Sequence, residues 1–350
     1  MPPKTQLLSK IAILSFRELL LLRMRNFGSI KIGALIGAFV FLFATSIQAQ
    51  EKMITPPYLK KGDTVGILAT ARKIDQATLK PAIQLLESWG LKVVLGKTIG
   101  KEENQLAGAD WQRATDFQEM IDNPNIKAIW AAKGGYGTVR IVDRINFANF
   151  KKNPKWIIGF SDVTVVHSHI NNMNIETIHA MMAISSRSAT DEAKRTLHDA
   201  LFGQKLSYKM PKDELNRLGT AKAEIVGGNL SVIYSVLGSE SAVDCKDKIL
   251  FIEDLDEYLY HIDRMLMNMK RNGYFANVKG VLVGGMTSMN DNDIPWGKDA
   301  LHIIQDVLKD YKFPIIYNFP AGHTKDNRAI IMGRTATMKV TETGSTVVFE

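Results

Sequence analysis

Three turns that follow apolar, strand-like runs carry the residues of this sequence that could do chemistry. The first is AAKGGYG (131–137), the second is GFSDVT (159–164), and the third begins at Glu253 in ILFIEDLDEY. In open sheets of parallel strands, ligand-binding groups collect beyond the carboxyl ends of the strands. These three turns, together with the histidines, are therefore the candidates for a catalytic site.

Ser161 has two interpretations. It follows a predicted strand at Trp156–Phe160 and precedes a helix predicted from about Thr164, whose amides and dipole favour an adjacent alkoxide or oxyanion. Serine and aspartate are also preferred N-cap residues, so Ser161 could simply start the helix. A nucleophilic serine also needs a base. The local residues leave both interpretations open.

A base and an acid are available in two other segments. His323 lies in the loop FPAGHTKDN after a predicted strand at Ile315–Tyr317, where loops commonly carry function. Glu253 ends a strand-like run, where a carboxylate can orient an imidazole, although four acids after a strand can also form a solvated turn. The other histidines are mostly expected to pack on helix faces or lie at the surface: His167, His169, His179, His198, His261 and His302.

Gly134 and Gly135 could point their backbone amides at a negatively charged oxygen, or could serve only as a turn. His167 and His169 lie about 200° apart on a helix and do not form a metal-binding pair. The sequence contains no Cys/His cluster, P-loop or dinucleotide fingerprint. We therefore predict no metal and no cofactor.

The order of apolar segments predicts an α/β protein with two domains. Strand-like and helical patterns alternate in the first half, which is typical of a parallel sheet. Periodicity weakens between Ser185 and Gly219, and the second half ends in short β-like pieces. We predict an N-terminal parallel-sheet domain at 57–185, a linker at 186–219, and a smaller mixed α/β domain at 220–350 with a β-rich tail.

The basic charge of the chain is concentrated in a predicted leader, residues 1–50. This segment carries +5 of the formal net charge of +8, and the remaining 300 residues carry +3, so nucleic acid is not an expected partner. From Met24 a positive start, an apolar run over Ile32–Ala44 and small residues ending at Ala49 are typical of a signal peptide. Cys245 is the only cysteine and is expected to be a buried small residue.

The predicted signal peptide, at about 24–49, implies a periplasmic or exported protein. Its apolar run is shorter than the roughly 20 residues that span a membrane, so we expect no stable membrane insertion after cleavage. An uncleaved anchor and a cytoplasmic protein are the alternatives.

Taken together, the segments resemble the LD-carboxypeptidase family of serine peptidases, which includes murein tetrapeptide and microcin-immunity carboxypeptidases. The resemblance covers about residues 57–349 and follows one order along the chain: LKKGDTVGILA, AGADWQRATDFQEM, IWAAKGGYGTVRIV, WIIGFSDVTVVH, VGGNLSVI, LFIEDLDEYLYHIDRML and FPAGHTKDN. It implies a flavodoxin- or amidotransferase-like first domain. It also implies that Ser161 is the nucleophile, Glu253 the triad carboxylate and His323 the general base.

The resemblance further implies an oxyanion hole of backbone amides, placed at Asp162, Gly134 and Gly135. The implied function is hydrolysis of the L,D-peptide bond of murein tetrapeptides in murein recycling, with release of terminal D-alanine. Family members are commonly dimers. Two segments depart from the family pattern: Lys133 stands where arginine is usual, and ATAR follows the first strand.

Three alternatives accompany this interpretation. A related peptidase could detoxify a peptide–nucleotide antibiotic. An α/β-hydrolase esterase is disfavoured, because GFSDV (159–163) lacks the last glycine of G-x-S-x-G. A non-catalytic murein-peptide binder is disfavoured by the intact serine, glutamate and histidine.

Overall fold

The computed structural model describes residues 53–350. The predicted leader, residues 1–50, and its signal peptide lie outside the described residues. In the described part of the chain, no helix is both long enough and apolar enough to cross a membrane. Cys245 is buried and unpaired, as the sequence predicts.

Strands and helices alternate through the first half of the described chain. The strands are β1 (Thr64–Leu68), β2 (Lys92–Leu95), β3 (Ile126–Ala131), β4 (Trp156–Gly159), β5 (Thr177–His179), β6 (Ser207–Pro211), β7 (Gly219–Asn229), β8 (Ile249–Leu255), β9 (Gly280–Thr287), β10 (Ile315–Ile316), β11 (Ile330–Met332), β12 (Thr335–Thr341) and β13 (Gly344–Phe349). The α-helices are α1 (Lys80–Ser88), α2 (Asp110–Asp122), α3 (Ala148–Lys152), α4 (Thr164–Asn171), α5 (Asp191–Leu201), α6 (Leu230–Ser235), α7 (Leu259–Arg271) and α8 (Ala300–Leu308).

The first sheet has the spatial order β11-β5-β4-β3-β1-β2. Strands β1 to β5 pair in parallel, and only β11 pairs antiparallel, along β5. Successive side chains of a strand point to opposite faces. In β3, Trp130 accordingly packs in one buried cluster and Ile129 in another. The predicted parallel α/β layer is confirmed.

The second sheet has the spatial order β10-β9-β8-β7-β12-β13-β6. Its first four strands pair in parallel, and β7, β12, β13 and β6 pair antiparallel. Helices α6, α7 and α8 cover one face with buried apolar side chains. The predicted mixed α/β region with a β-rich tail is therefore confirmed.

Two strands occupy places that the sequence patterns do not indicate. The segment predicted as a linker, 186–219, contains α5 and also β6, which pairs with β13 at the edge of the second sheet. Strand β11 comes from the C-terminal part of the chain but pairs with β5 of the first sheet, with Ile331 opposite Ile178. The chain thus returns to the first sheet before it forms β12. The predicted domain limits stay a prediction.

A buried ion pair holds this return in place. Arg334, between β11 and β12, donates from Nε to Glu176 Oε1 (3.1 Å) and from Nη2 to Glu176 Oε2 (2.5 Å), just before β5. Arg334 is 9% exposed and Glu176 is 4% exposed. The guanidinium also lies 5.8 Å from the ring centroid of Tyr58 and 6.0 Å from that of Trp156. The pair ties the second sheet to the edge of the first.

We expect Arg334→Ala to lower the free energy of unfolding by about 3–5 kcal/mol, because it leaves the Glu176 carboxylate buried without its partner. Denaturant unfolding of the purified protein measures this change. Lys222→Ala is the control, since Lys222 pairs with Glu350 at the surface with 60% of its side chain exposed, and its loss should cost under about 1 kcal/mol. Equal effects of the two substitutions would contradict the assigned role.

Candidate active site

Ser161 occupies a tight turn between β4 and α4. Its φ is 58°, in the left-handed region that a non-glycine residue adopts at a cost of about 1–3 kcal/mol. A short 3₁₀ turn, Ser161–Val163, follows and leads into α4. The N-cap position of α4 is held by Val163, and Ser161 caps neither helix through its side chain. The interpretation of Ser161 as a helix cap is therefore wrong.

The residues around the turn hold Ser161 in this conformation. The carbonyl of Gly159 lies 2.9 Å from His167 Nε2 and also accepts from the amide of Ala180. A side chain at Gly159 would lie 2.9 Å from Val163 Cγ2, so only glycine fits here. Burial lowers the pKa of His167 to about 4, which keeps this imidazole neutral. His167 is thus a structural histidine beneath the turn.

Glu253 and His323 form the central polar contact of the site. Glu253 Oε2 lies 2.7 Å from His323 Nδ1 and accepts from the backbone amide of His323 at 3.1 Å. The Glu253 side chain is fully buried, and its Oε1 has no hydrogen-bond partner among the described residues. Gly322 makes the contact possible: its φ is +102°, and a Cβ there would lie 2.7 Å from Glu253 Oε2.

The environment of His323 shifts its titration. Burial alone would lower the pKa of His323, but the hydrogen bond and the negative charge of Glu253 outweigh it and raise the pKa above its ordinary value of 6.5. The His323 side chain is 16% exposed, and Nδ1 is the ring nitrogen that contacts Glu253, which leaves Nε2 for proton transfer. A base of this kind can take a proton and be stabilised in the charged form.

His323 lies beside the Ser161 turn. Its ring centroid is 4.8 Å from that of Phe160, the residue before Ser161. Ser161 is partly exposed, and within residues 53–350 neither its hydroxyl nor His323 Nε2 has a hydrogen-bond partner. The structure thus brings together Ser161, Glu253 and His323 from three distant segments.

The glycine pair after β3 lies against the same turn. A Cβ on Gly134 would lie 3.5 Å from Ser161 Cβ, and Gly135 has a φ of +105°. The backbone amides of both glycines donate to no acceptor in the described chain. Asp162 connects the two turns, because its Oδ2 accepts from the amide of Thr138 at 2.9 Å. Burial raises the pKa of the Asp162 carboxyl against the effect of these hydrogen bonds.

A second buried carboxylate, Asp254, belongs to a network that reaches helix α4, and its sequence motif indicates no such role. Asp254 accepts from Asn229 Nδ2 (2.9 Å) and from the amide of Ser231 (2.8 Å), while the amide of Asn229 donates to Thr164 Oγ1 (3.0 Å) at the start of α4. Burial, and then the charge of Glu253, raise the pKa of Asp254 to about 7. The solvated-turn interpretation is thus wrong for Glu253 and Asp254. The VGGNL segment is the signal that could have indicated this network.

The remaining histidines take no part in the contact. His179 lies in β5 and not in a helix, is fully buried, and neither of its ring nitrogens has a partner among the described residues. Residues 53–350 contain no group of three or more His, Cys, Asp or Glu side chains placed to hold a metal ion.

Comparisons with known proteins identify the class. The model of the LD-carboxypeptidase N-terminal domain matches residues 65–180, and the model of the C-terminal domain matches residues 222–338. A probable murein peptide carboxypeptidase of Bacillus subtilis is 36% identical over 298 residues, which are 82% of this chain and 92% of the relative. These matches define a peptidase, a hydrolase of peptide bonds. The chain belongs to the LD-carboxypeptidase family.

Solved structures agree with this fold. The muramoyltetrapeptide carboxypeptidase of Oxalobacter formigenes superposes with a TM-score of 0.76 at 24% identity, covering 82% of this chain and 98% of that one. A microcin C7 self-immunity protein in complex with aspartyl sulfamoyl adenosine also gives 0.76, at 21% identity and 85% and 98% coverage. At this level of identity the likeness concerns the fold.

Proposed function

We propose that this protein is a serine carboxypeptidase that cleaves the L,D-peptide bond of murein tetrapeptides and releases terminal D-alanine without a metal. The observation that carries the proposal is the hydrogen bond from His323 to the buried carboxylate of Glu253, beside the strained turn of Ser161. The names of the relatives supply the substrate class, a murein peptide.

The proposed mechanism begins with proton transfer from Ser161 Oγ to His323 Nε2 as the hydroxyl attacks the scissile carbonyl. Glu253 holds the imidazole at Nδ1 and stabilises the imidazolium that forms. In this mechanism the amides of Asp162, Gly134 and Gly135 donate to the developing oxyanion. His323 then gives its proton to the amine of the leaving D-alanine. Water, activated by His323, hydrolyses the acyl-enzyme.

Activity and binding assays distinguish the proposed murein peptidase from two other functions. The microcin-immunity structure makes cleavage of a peptide–nucleotide antibiotic the second candidate. Mass spectrometry of products from tri-, tetra- and pentapeptides, run beside a peptide–nucleotide conjugate, distinguishes the two substrates. A non-catalytic murein-peptide binder would bind the tetrapeptide and release no D-alanine.

We expect Ser161→Ala to lower kcat by about 10⁴-fold or more while the protein stays folded, because the hydroxyl makes the covalent bond. D-alanine release measures turnover, and thermal unfolding measures the fold. Ser235→Ala, at an exposed position of α6, is the control and should leave turnover unchanged. Turnover by Ser161→Ala within tenfold of the natural protein would exclude the serine mechanism.

The pH profile tests the role of Glu253. The neutral form of His323 is the base, so kcat/KM should rise as pH increases through a His323 pKa above 6.5. In Glu253→Gln we expect kcat to fall about 10⁴-fold. The same variant should move the acidic limb to lower pH, because only the charge of Asp254 then opposes the lowering of the His323 pKa by burial. Asp256→Asn, at an exposed carboxylate three residues further on, is the control. If the acidic limb of the pH profile did not shift in Glu253→Gln, the contact with Glu253 would not be the cause of the raised His323 pKa.

We further propose export after cleavage of the signal peptide, and a homodimeric mature protein. The protein isolated from its host should begin at or near Gln50 and occur in the periplasmic or otherwise exported fraction. N-terminal sequencing and light scattering check the two expectations. A soluble cytoplasmic protein that retains residues 32–44 would refute export, and retention in the membrane fraction would support an uncleaved anchor.

A further inference from the structure

Arg72 lies at the same edge of the first sheet as the candidate active site. It follows β1, which is the neighbour of β3, and its backbone amide donates to the carbonyl of Gly134 at 3.4 Å. Its side chain then crosses the face of Gly135. A Cβ on Gly135 would lie 2.5 Å from both Cδ and Nε of Arg72. The glycine at 135 therefore leaves room for the arginine side chain beside the turn.

The charge of Arg72 has no opposite charge paired with it in the described part of the chain. Its side chain is exposed, and within residues 53–350 its guanidinium has neither a hydrogen-bond acceptor nor a carboxylate at ion-pair distance. Two lysines close to Arg72 or Gly134 in the sequence make contacts within the protein. Lys73 pairs with Glu102, and Lys133 donates from Nζ to the carbonyl of Lys73 at 3.4 Å. Within residues 53–350, Arg72 is thus the one of these three cations whose side chain makes no hydrogen bond.

The spacing between Arg72 and Ser161 suits a substrate that is cleaved one residue before its C-terminus. Gly134 packs against Ser161, with 3.5 Å between a Cβ on Gly134 and Ser161 Cβ, and Gly135 packs against Arg72. A carboxypeptidase substrate ends one residue beyond its scissile carbonyl, and consecutive Cα atoms are about 3.8 Å apart. Arg72 and Ser161 thus contact adjacent glycines of one turn, so these contacts are about one residue, or about 3.8 Å, apart.

The geometry points to Arg72 as the residue that binds the C-terminal carboxylate of the substrate, a role that rests on the proposed carboxypeptidase function. A planar guanidinium can donate two parallel hydrogen bonds to one carboxylate, which fixes the orientation of the peptide end. Arg72 thereby restricts cleavage to the last residue, because an internal peptide bond presents no carboxylate at this place. Lys133, which departs from the family pattern, carries a single ammonium and no planar fork, and its Nζ already donates to the carbonyl of Lys73.

The test compares two tetrapeptides that differ only at the C-terminus, one ending in D-alanine and one in D-alaninamide. In Arg72→Ala we expect kcat/KM for the acid to fall about 10- to 100-fold, mostly through KM, since a hydrogen-bonded charge pair is lost. Cleavage of the amide should stay within about threefold, and Arg72→Lys should recover part of the loss for the acid. Lys73→Ala, which removes the adjacent cation, is the matched control and should change neither substrate.

Calorimetry measures the contribution of the carboxylate site to binding when no turnover occurs. The same two peptides are titrated into Ser161→Ala and into Ser161→Ala/Arg72→Ala. We expect Ser161→Ala to prefer the acid and the double variant to lose that preference. Four outcomes would each overturn the role of Arg72. Arg72→Ala could lose activity equally on the acid and the amide, or the preference for the acid could survive without Arg72. The preference could instead be lost in Lys133→Ala, or Ser161→Ala could show no preference at all. If the natural protein releases no D-alanine yet prefers the acid through Arg72, the proposed function fails and the carboxylate site stands.

Discussion

The burial of Glu253 is the constraint on which the site depends. A carboxylate removed from water must be compensated by hydrogen bonds or by a positive charge. Here one oxygen accepts two hydrogen bonds from His323 and the other has no partner among the described residues. The loop that carries His323 can come this close only because Gly322 has no side chain. Burial therefore couples the position of the acid to that of the base.

Three neighbouring histidines are all desolvated by burial, but the net shifts of their pKa values differ in direction. His167 and His179 are fully buried without a carboxylate partner, and desolvation lowers the pKa of each. His323 is also desolvated, but Glu253 reverses the direction of its shift. A neutral imidazole is suited to supporting a turn, as His167 does at Gly159. An imidazole that can become charged is suited to proton transfer.

Contacts between the two sheets keep the serine and its base together. Asn229 at the end of β7 bonds to Thr164 at the start of α4 and to Asp254 on β8, the strand of Glu253. Arg334 and Glu176 form a further link near the edge of the first sheet. Catalytic groups held by packed strands need little reorganisation when a substrate binds. The strained conformation of Ser161 is maintained by this surrounding structure.

The sequence by itself determined the succession of strands and helices, because apolar periodicity reports which face of each element is buried. It also indicated Ser161, Glu253 and His323, since their motifs stand after strands and resemble one family. Tertiary structure alone decided the return of β11 to the first sheet, the left-handed conformation of Ser161, the burial of Asp254 and the approach of Arg72 to Gly135. Each of these depends on contacts between segments far apart in the chain. Local patterns of residue types carry no record of such contacts.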